Sequence, residues 1–313
     1  MAEFILAAPL RRFARTRPRL RRLLWRIDYV FVWTLIRLFQ MLPVDLASRL
    51  GARVGGWIGP MMKRKTALFR ANFAIALPER SAAEREEIVR AAWRQGGRIL
   101  AEYPHIPALD ADPSRIEVDD SAFDIAAHQP CILVIPHLSN WEIPPLMLKR
   151  HDVPNACLYA PPTNPFLDQM LLDSRSKLGC ELIPRAKGAR ALMRALNAGK
   201  TLGLVVDRRV DEGQPIRFFG QDKLSTLLPA KLSLKQGAPL VPLHIERLRD
   251  ARFRVTVFPP LLAAEDLDED AQAIDMMQRL HELFEEWIRS NPTDWLCSKR
   301  LWQKSTIEGS DNV

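Results

Sequence analysis

The sequence has few cysteines, and they are badly spaced for a staple. Cys131, Cys157, Cys180 and Cys297 lie far apart and form no C-x-x-C pair, which removes the usual spacings of a disulfide framework or a zinc site and suits reduced core thiols of a cytosolic protein. No G-x-S-x-G segment occurs, so nothing indicates a serine nucleophile on a strand-to-helix elbow. Internal repeats and low-complexity linkers are also missing, leaving one large domain with an appended segment as the simplest organisation. Near the N-terminus the longest charge-free run, residues 29 to 36, is far short of the ~20 apolar residues that span a bilayer. No small-residue cleavage site comes after it, so it does not read as a secretory signal.

Acidic charge is scarce where basic charge is dense. Residues 1 to 40 carry nine arginines against Glu3 and Asp28, so +7 of the net +8 sits there. The remainder is nearly neutral, which argues for a localised basic anchor and against a nucleic-acid groove. The stretch "RRFARTRPRLRRLLWRIDYVFVWTLIRLFQMLP" reads as a basic amphipathic helix lying on an anionic membrane surface, residues 1 to 42 being the anchoring segment and 43 to 313 the main domain. The alternative is a core-packing helix with a solvated arginine tail.

The main domain is rich in pattern. At 47% hydrophobic, 313 residues can bury a sizeable core. Helical periodicity covers 44 to 59, 62 to 76 and 81 to 101, the last opened by a Ser81/Glu84 capping box. From about residue 115 the rhythm becomes βα, with strands expected at 115 to 118, 131 to 136, 156 to 160, 180 to 183, 202 to 206, 239 to 246 and 252 to 258. Helices are expected at 144 to 150, 165 to 178, 188 to 198, 228 to 236 and 270 to 289. The five-residue loop "RLRDA" is short enough for a hairpin, so the sheet should be mixed.

In such sheets functional groups gather beyond the carboxyl ends of strands. Three polar clusters lie there: His137 with Glu142, the "APPTN" loop, and Asp207, Arg208 and Arg209. A neutral imidazole can take a proton from an alcohol while a carboxylate on its other nitrogen fixes the tautomer. The segment "PHLSNWEIPP" offers such a pair in His137 and Glu142, although Ser139-x-x-Glu142 also matches a capping box. With Ser139 as the cap, Pro144 would fall where the helix needs an N–H, so the helix should start near Pro144 and leave 137 to 142 as a loop. Dyad and cap both stay open on the residues alone. Asn140 could donate to a substrate or close the turn. The histidines at 105, 128, 151, 244 and 281 show no metal spacing and read as surface or satisfied core residues.

H-x4-E after an apolar strand resembles the H-x4-D/E motif of the glycerolipid acyltransferase superfamily, and the wider context is similar to the lipid A late acyltransferases of Gram-negative bacteria. The matching segments are "PHLSNWE", "NPFLDQMLLDSRSKLGCELIPRAKGARALMRALNAGKTLGLVVD", "RFFG", "STLLPAKLSLKQGAPLVPLHIERL" and "WLCSKRLWQK". The resemblance implies an α/β fold, an acyltransferase-type mixed sheet flanked by helices with N-terminal helices that dock on the membrane. It implies transfer of a fatty acyl chain from an acyl carrier protein or CoA thioester to a hydroxyl of a lipid A precursor or related membrane lipid, at the cytoplasmic face of the inner membrane, with neither cofactor nor metal. His137 would be the general base, Glu142 its orienting partner, and Arg175 a supporting or acid-binding residue. Asp207 matches the first acid of the family's D-Q-D run.

That run here reads Asp-Arg-Arg. Arg208 and Arg209, with Arg217 and Lys223, form either a cationic cluster for a phosphate of the acceptor or of the donor's phosphopantetheine, or a loop salt-bridged with Asp207, Asp211 and Glu212. Two other functions compete: a metal-dependent hydrolase with His137, Glu142 and Asp207 as ligands, and a non-catalytic lipid-binding protein on the same scaffold.

Overall fold

The computed structural model describes residues 13, 14, 16 to 303 and 306, with the side chain of residue 187 left out; Arg11, Arg12 and Arg15 of the basic run, and Lys304 of the closing motif, lie outside the described residues. A helical layer comes first: α1 Pro18–Gln40, α2 Val44–Ile58, α3 Lys63–Ala76, α4 Ala82–Glu102 and the short α5 Ile106–Ala111. The capping box opens α4 as expected, Ser81 accepting from the Glu84 N–H and Glu84 from the Ser81 N–H. Glycine lets α2 and α4 cross backbone to backbone, since a Cβ on Gly97 would stand 2.1 Å from the Gly51 carbonyl oxygen.

The main domain then alternates β1 Ile116–Asp119, β2 Ile132–Ile135, α6 Pro144–Arg150, β3 Asn155–Tyr159, α7 Pro165–Arg175, β4 Cys180–Pro184, α8 Gly188–Asn197 and β5 Thr201–Val205. It closes with β6 Gln214–Phe218, β7 Gln221–Ser225, α9 Leu228–Gln236, β8 Leu240–Arg249, β9 Arg252–Val257 and α10 Glu269–Ser290. All seven expected strands enter one sheet, ordered β1-β9-β8-β2-β5-β3-β4, parallel except for the β8–β9 hairpin. The fold is therefore the expected mixed α/β sheet flanked by helices. The β6–β7 hairpin is a separate two-stranded element that periodicity did not reveal.

Strand β2 shows why the centre is rigid. All four residues are buried: Ile132 and Val134 face a core built from α3, α4, α8, α9 and α10, while Leu133 and Ile135 face a second core containing α6. Covered on both faces, β2 can be apolar without alternation. The four cysteines are free thiols, Cys131 and Cys297 buried and the other two half-buried.

Helix α1 inverts the usual arrangement. Leu24 and Asp28 face inward, and Asn164 at the start of α7 donates to the Trp25 carbonyl at 2.9 Å. Leu23, Ile27, Val30, Phe31 and Leu38, spaced as one helical stripe, are 43–57% exposed. Trp57 and Met61 beyond it are exposed as well. No helix among the described residues is long and apolar enough to cross a membrane.

Candidate active site

Parallel register assembles the site. Ile135 of β2 lies opposite Val205 of β5, and two residues further on each strand come His137 and Asp207. Nδ1 of His137 meets Oδ1 of Asp207 at 2.5 Å, and the Trp295 indole donates to Oδ2 at 3.0 Å. Asp207 is 1% exposed and His137 7%, and Nε2 of His137 has no hydrogen-bond partner among the described residues. Burial alone would raise the Asp207 carboxyl, but the His137 charge and hydrogen bond, the Trp295 N–H and the Arg208 charge outweigh it and hold the carboxyl well below the usual carboxylate range. Asp207 is thus an anion hydrogen-bonded to Nδ1 of an imidazole whose other nitrogen has no hydrogen-bond partner among the described residues.

The chain beyond α10 clamps the loop after β2. The Leu296 N–H donates to the His137 carbonyl at 2.9 Å and the Ser139 N–H to the Asp294 carbonyl at 3.1 Å, with Leu138 bridged to Trp295. Ser139 takes a positive φ of 49°, which turns the chain out of the strand; it does not cap a helix, and α6 starts at Pro144 as the two prolines require. The Trp141 ring packs edge-on to His137 at 4.9 Å between centroids.

Glu142 does not fold back on His137. Its carboxylate receives two hydrogen bonds from the Arg175 guanidinium at the end of α7, one of them at 3.1 Å, in a pair whose side chains are only 12% and 16% exposed. Burial works against the charged Arg175, but the Glu142 carboxylate reverses this and drives its pKa up. Among the described residues the carboxylate on Nδ1 of His137 is that of Asp207, while that of Glu142 is held bidentately by the Arg175 guanidinium. Asn140 is likewise committed: its amide donates to Glu102 at 2.9 Å and accepts from the Glu142 N–H at 3.2 Å. Glu102 is fully buried and also bound by Ser48 and Arg247, each at 2.6 Å. These contacts close the turn at Asn140.

The arginine run resolves into separate parts. Arg209 pairs with Asp211 at 2.8 Å, whereas Arg208, half-buried, has neither hydrogen bond nor ion pair among the described residues. Burial lowers the pKa of Arg208, Asp207 opposes that, and the nearby Arg185 adds to it. Arg217 and Lys223 do not join a cluster: in the hairpin register Arg217 pairs with Asp222 on the exposed face, and Lys223 points into the core. The three groups weighed as metal ligands do not converge either, with Glu142 bound to Arg175; no trio of His, Cys, Asp or Glu among the described residues is arranged to hold a metal ion. Trp295 and Glu102 were missed from sequence, since a tryptophan and the last residue of a helix carry no catalytic spacing.

A buried carboxylate–imidazole pair at the carboxyl edge of a mixed sheet equips an enzyme to take a proton from a hydroxyl. Residues 14–304 match the bacterial lipid A biosynthesis acyltransferase family, and the chain belongs to it. It is similar to the phosphatidylinositol mannoside acyltransferase of Mycobacterium tuberculosis, 27% identical over 88% of this chain and 87% of that one. Similar too are the lipid A biosynthesis myristoyltransferase of Escherichia coli, 23% identical over 82% of this chain and 79% of that one, and the lipid A biosynthesis acyltransferase of Haemophilus influenzae, 21% identical over 76% and 77%. The protein is an acyltransferase of this glycolipid-directed kind.

Proposed function

We propose that the protein transfers a fatty acyl chain from an acyl carrier protein or CoA thioester to a hydroxyl of a membrane lipid, with His137 as general base. The Asp207–His137 pair is the observation that carries this reading. Nε2 of His137 takes the hydroxyl proton as the oxygen attacks the thioester carbonyl, and Asp207 on Nδ1 stabilises the imidazolium. The new C–O bond forms, the C–S bond breaks, and the imidazolium returns its proton to the departing thiolate. No enzyme nucleophile is needed because the thioester is already activated.

Relatives named for lipid A and for phosphatidylinositol mannoside support a glycolipid acceptor, either a lipid A precursor or a mannosylated phospholipid. We assign Arg208 to a phosphate of that acceptor or of the donor's phosphopantetheine, as a cation beside the base without an acidic partner of its own. The test is acyl transfer by the purified chain from dodecanoyl acyl carrier protein to each acceptor in mixed micelles, monitored by mass spectrometry. One acyl chain should be gained by one acceptor in preference to the other. Thioester left intact with both would sink the reading.

We also assign residues 1 to 42 to the surface of the inner membrane's cytoplasmic leaflet. The outward stripe of α1 and its arginines support this, since an interfacial helix needs an apolar face and basic flanks. Replacing Ile27 and Phe31 together by Glu should weaken partition onto anionic vesicles by on the order of 10²-fold, from the burial of two large apolar side chains. Unchanged co-sedimentation of that variant would place the docking surface elsewhere.

A further inference from the structure

Lys223 is a lysine in an aromatic core. It lies on the inner face of β7 opposite Ile216, is 0% exposed, and has Phe218 beside it, with the Nζ 4.9 Å from the ring centroid. Lysine is almost never fully buried without a carboxylate partner. Among the described residues its side chain makes one hydrogen bond, from Nζ to the main-chain oxygen of Asp207 at 2.8 Å. An ammonium carries three donors and this site provides one oxygen acceptor and a ring face, so burying the cation is costly. Methionine or leucine would fill the same position without that cost.

The acceptor explains the choice. The last ladder contact of β5 is the Val206 N–H to the Ile135 carbonyl, so the peptide after Asp207 has left the sheet. A buried carbonyl outside the ladder needs a donor. Lys223 supplies it from the hairpin, and the same residue whose carbonyl it holds presents its carboxylate to His137. Rotation about that peptide would swing the carboxylate off Nδ1.

We propose that Lys223 is a positioning residue for acyl transfer: reaching from the β6–β7 hairpin, it fixes the Asp207 backbone and through it the alignment of the Asp207 carboxylate with His137. This rests on His137 acting as the base. Burial pushes the Lys223 amine down to about 7, against the opposing pull of Asp207. The other titratable groups packed there stay neutral: burial and then the Lys223 charge hold His281 of α10 well below the ordinary histidine value, and burial together with the Asp207 charge pushes the Cys297 thiol up. Below about pH 7, therefore, Lys223 carries a positive charge beside the Asp207 carboxylate.

The test uses the full chain with Lys223→Met and Lys223→Gln, thiol release from dodecanoyl acyl carrier protein, and the far-downfield NMR proton of the His137–Asp207 hydrogen bond. Lys223→Met should fold, lose about 10- to 10²-fold in kcat with KM little changed, as a misaligned base does, and shift or lose the downfield proton. Lys223→Gln, which keeps an N–H donor, should regain part of kcat and the resonance. An unshifted resonance in Lys223→Met overturns the proposal whatever the assay shows, as does a kcat loss that only tracks the melted fraction. His137→Ala separates the two claims: full activity there would discard His137 as base, while the resonance change in Lys223→Met would still report on the alignment of Asp207.

Discussion

Asp207→Asn should fold normally and lose on the order of 10³- to 10⁴-fold in kcat, the loss expected when the orienting acid of a histidine base becomes an amide. Trp295 explains why so small a change is so damaging. Its indole N–H donates to Oδ2 of Asp207, so the amide oxygen of an asparagine would stay on Trp295 and the NH2 would turn to His137. A donor facing Nδ1 drives the ring proton onto Nε2, the nitrogen that must hold a lone pair toward the acceptor hydroxyl. His137→Ala removes the base outright and should cost at least about 10²-fold. Glu142→Gln should behave differently. Its carboxylate lies on Arg175, so the substitution leaves the imidazole tautomer alone and lowers the melting temperature together with activity. If Asp207→Asn transfers acyl groups at the wild-type rate while Glu142→Gln abolishes transfer with its fold intact, the local H-x4-E pair is the dyad after all and Asp207 is structural.

The contrast between these two acids marks the limit of what local sequence encodes. Strand and helix positions are legible because burial imposes a period: a strand covered on both faces, such as Ile132–Ile135, must be an unbroken apolar run, and Pro144 must sit in a first helical turn. Even the irregular start of α6 is legible, since proline chemistry is local. The partner of His137 is not. Glu142 is five residues away in sequence, and Asp207 is brought in by the parallel pairing of β2 with β5, which no local pattern records. The β6–β7 hairpin is hidden for another reason. Its turn residues Phe219 and Gly220 both have positive φ, of 51° and 71°, and a phenylalanine in the left-handed region does not advertise a two-residue turn as Asn-Gly would. Phe219 tolerates that strain because its ring packs against Phe218, Trp295 and Trp302. With the hairpin unseen, Lys223 reads as part of a surface cationic cluster.

Arg175→Met should be the most destabilising single change around the site, at ~3–5 kcal/mol, because it leaves the Glu142 carboxylate largely buried without its cation. The loss should spread to the base. Glu142 is tied through its N–H to Asn140, and Asn140 through its amide to Glu102, so the 137–142 loop is held by Arg175 at one end and by the buried Glu102–Arg247 pair at the other. Freed at Glu142, the loop can shift Trp141, whose ring rests on His137. Urea unfolding monitored by tryptophan fluorescence measures the first effect and kcat the second. Replacing Arg175 and Glu142 together by methionine should recover most of the stability, since a buried ion pair is often no better than apolar packing of similar volume. Activity need not return with it: a double variant that is stable yet slow would show that the pair sets the shape of the loop as well as its strength. Equal unfolding midpoints for wild type and Arg175→Met would instead mean that water reaches Glu142 freely and that the loop is held by Glu102 and the segment beyond α10.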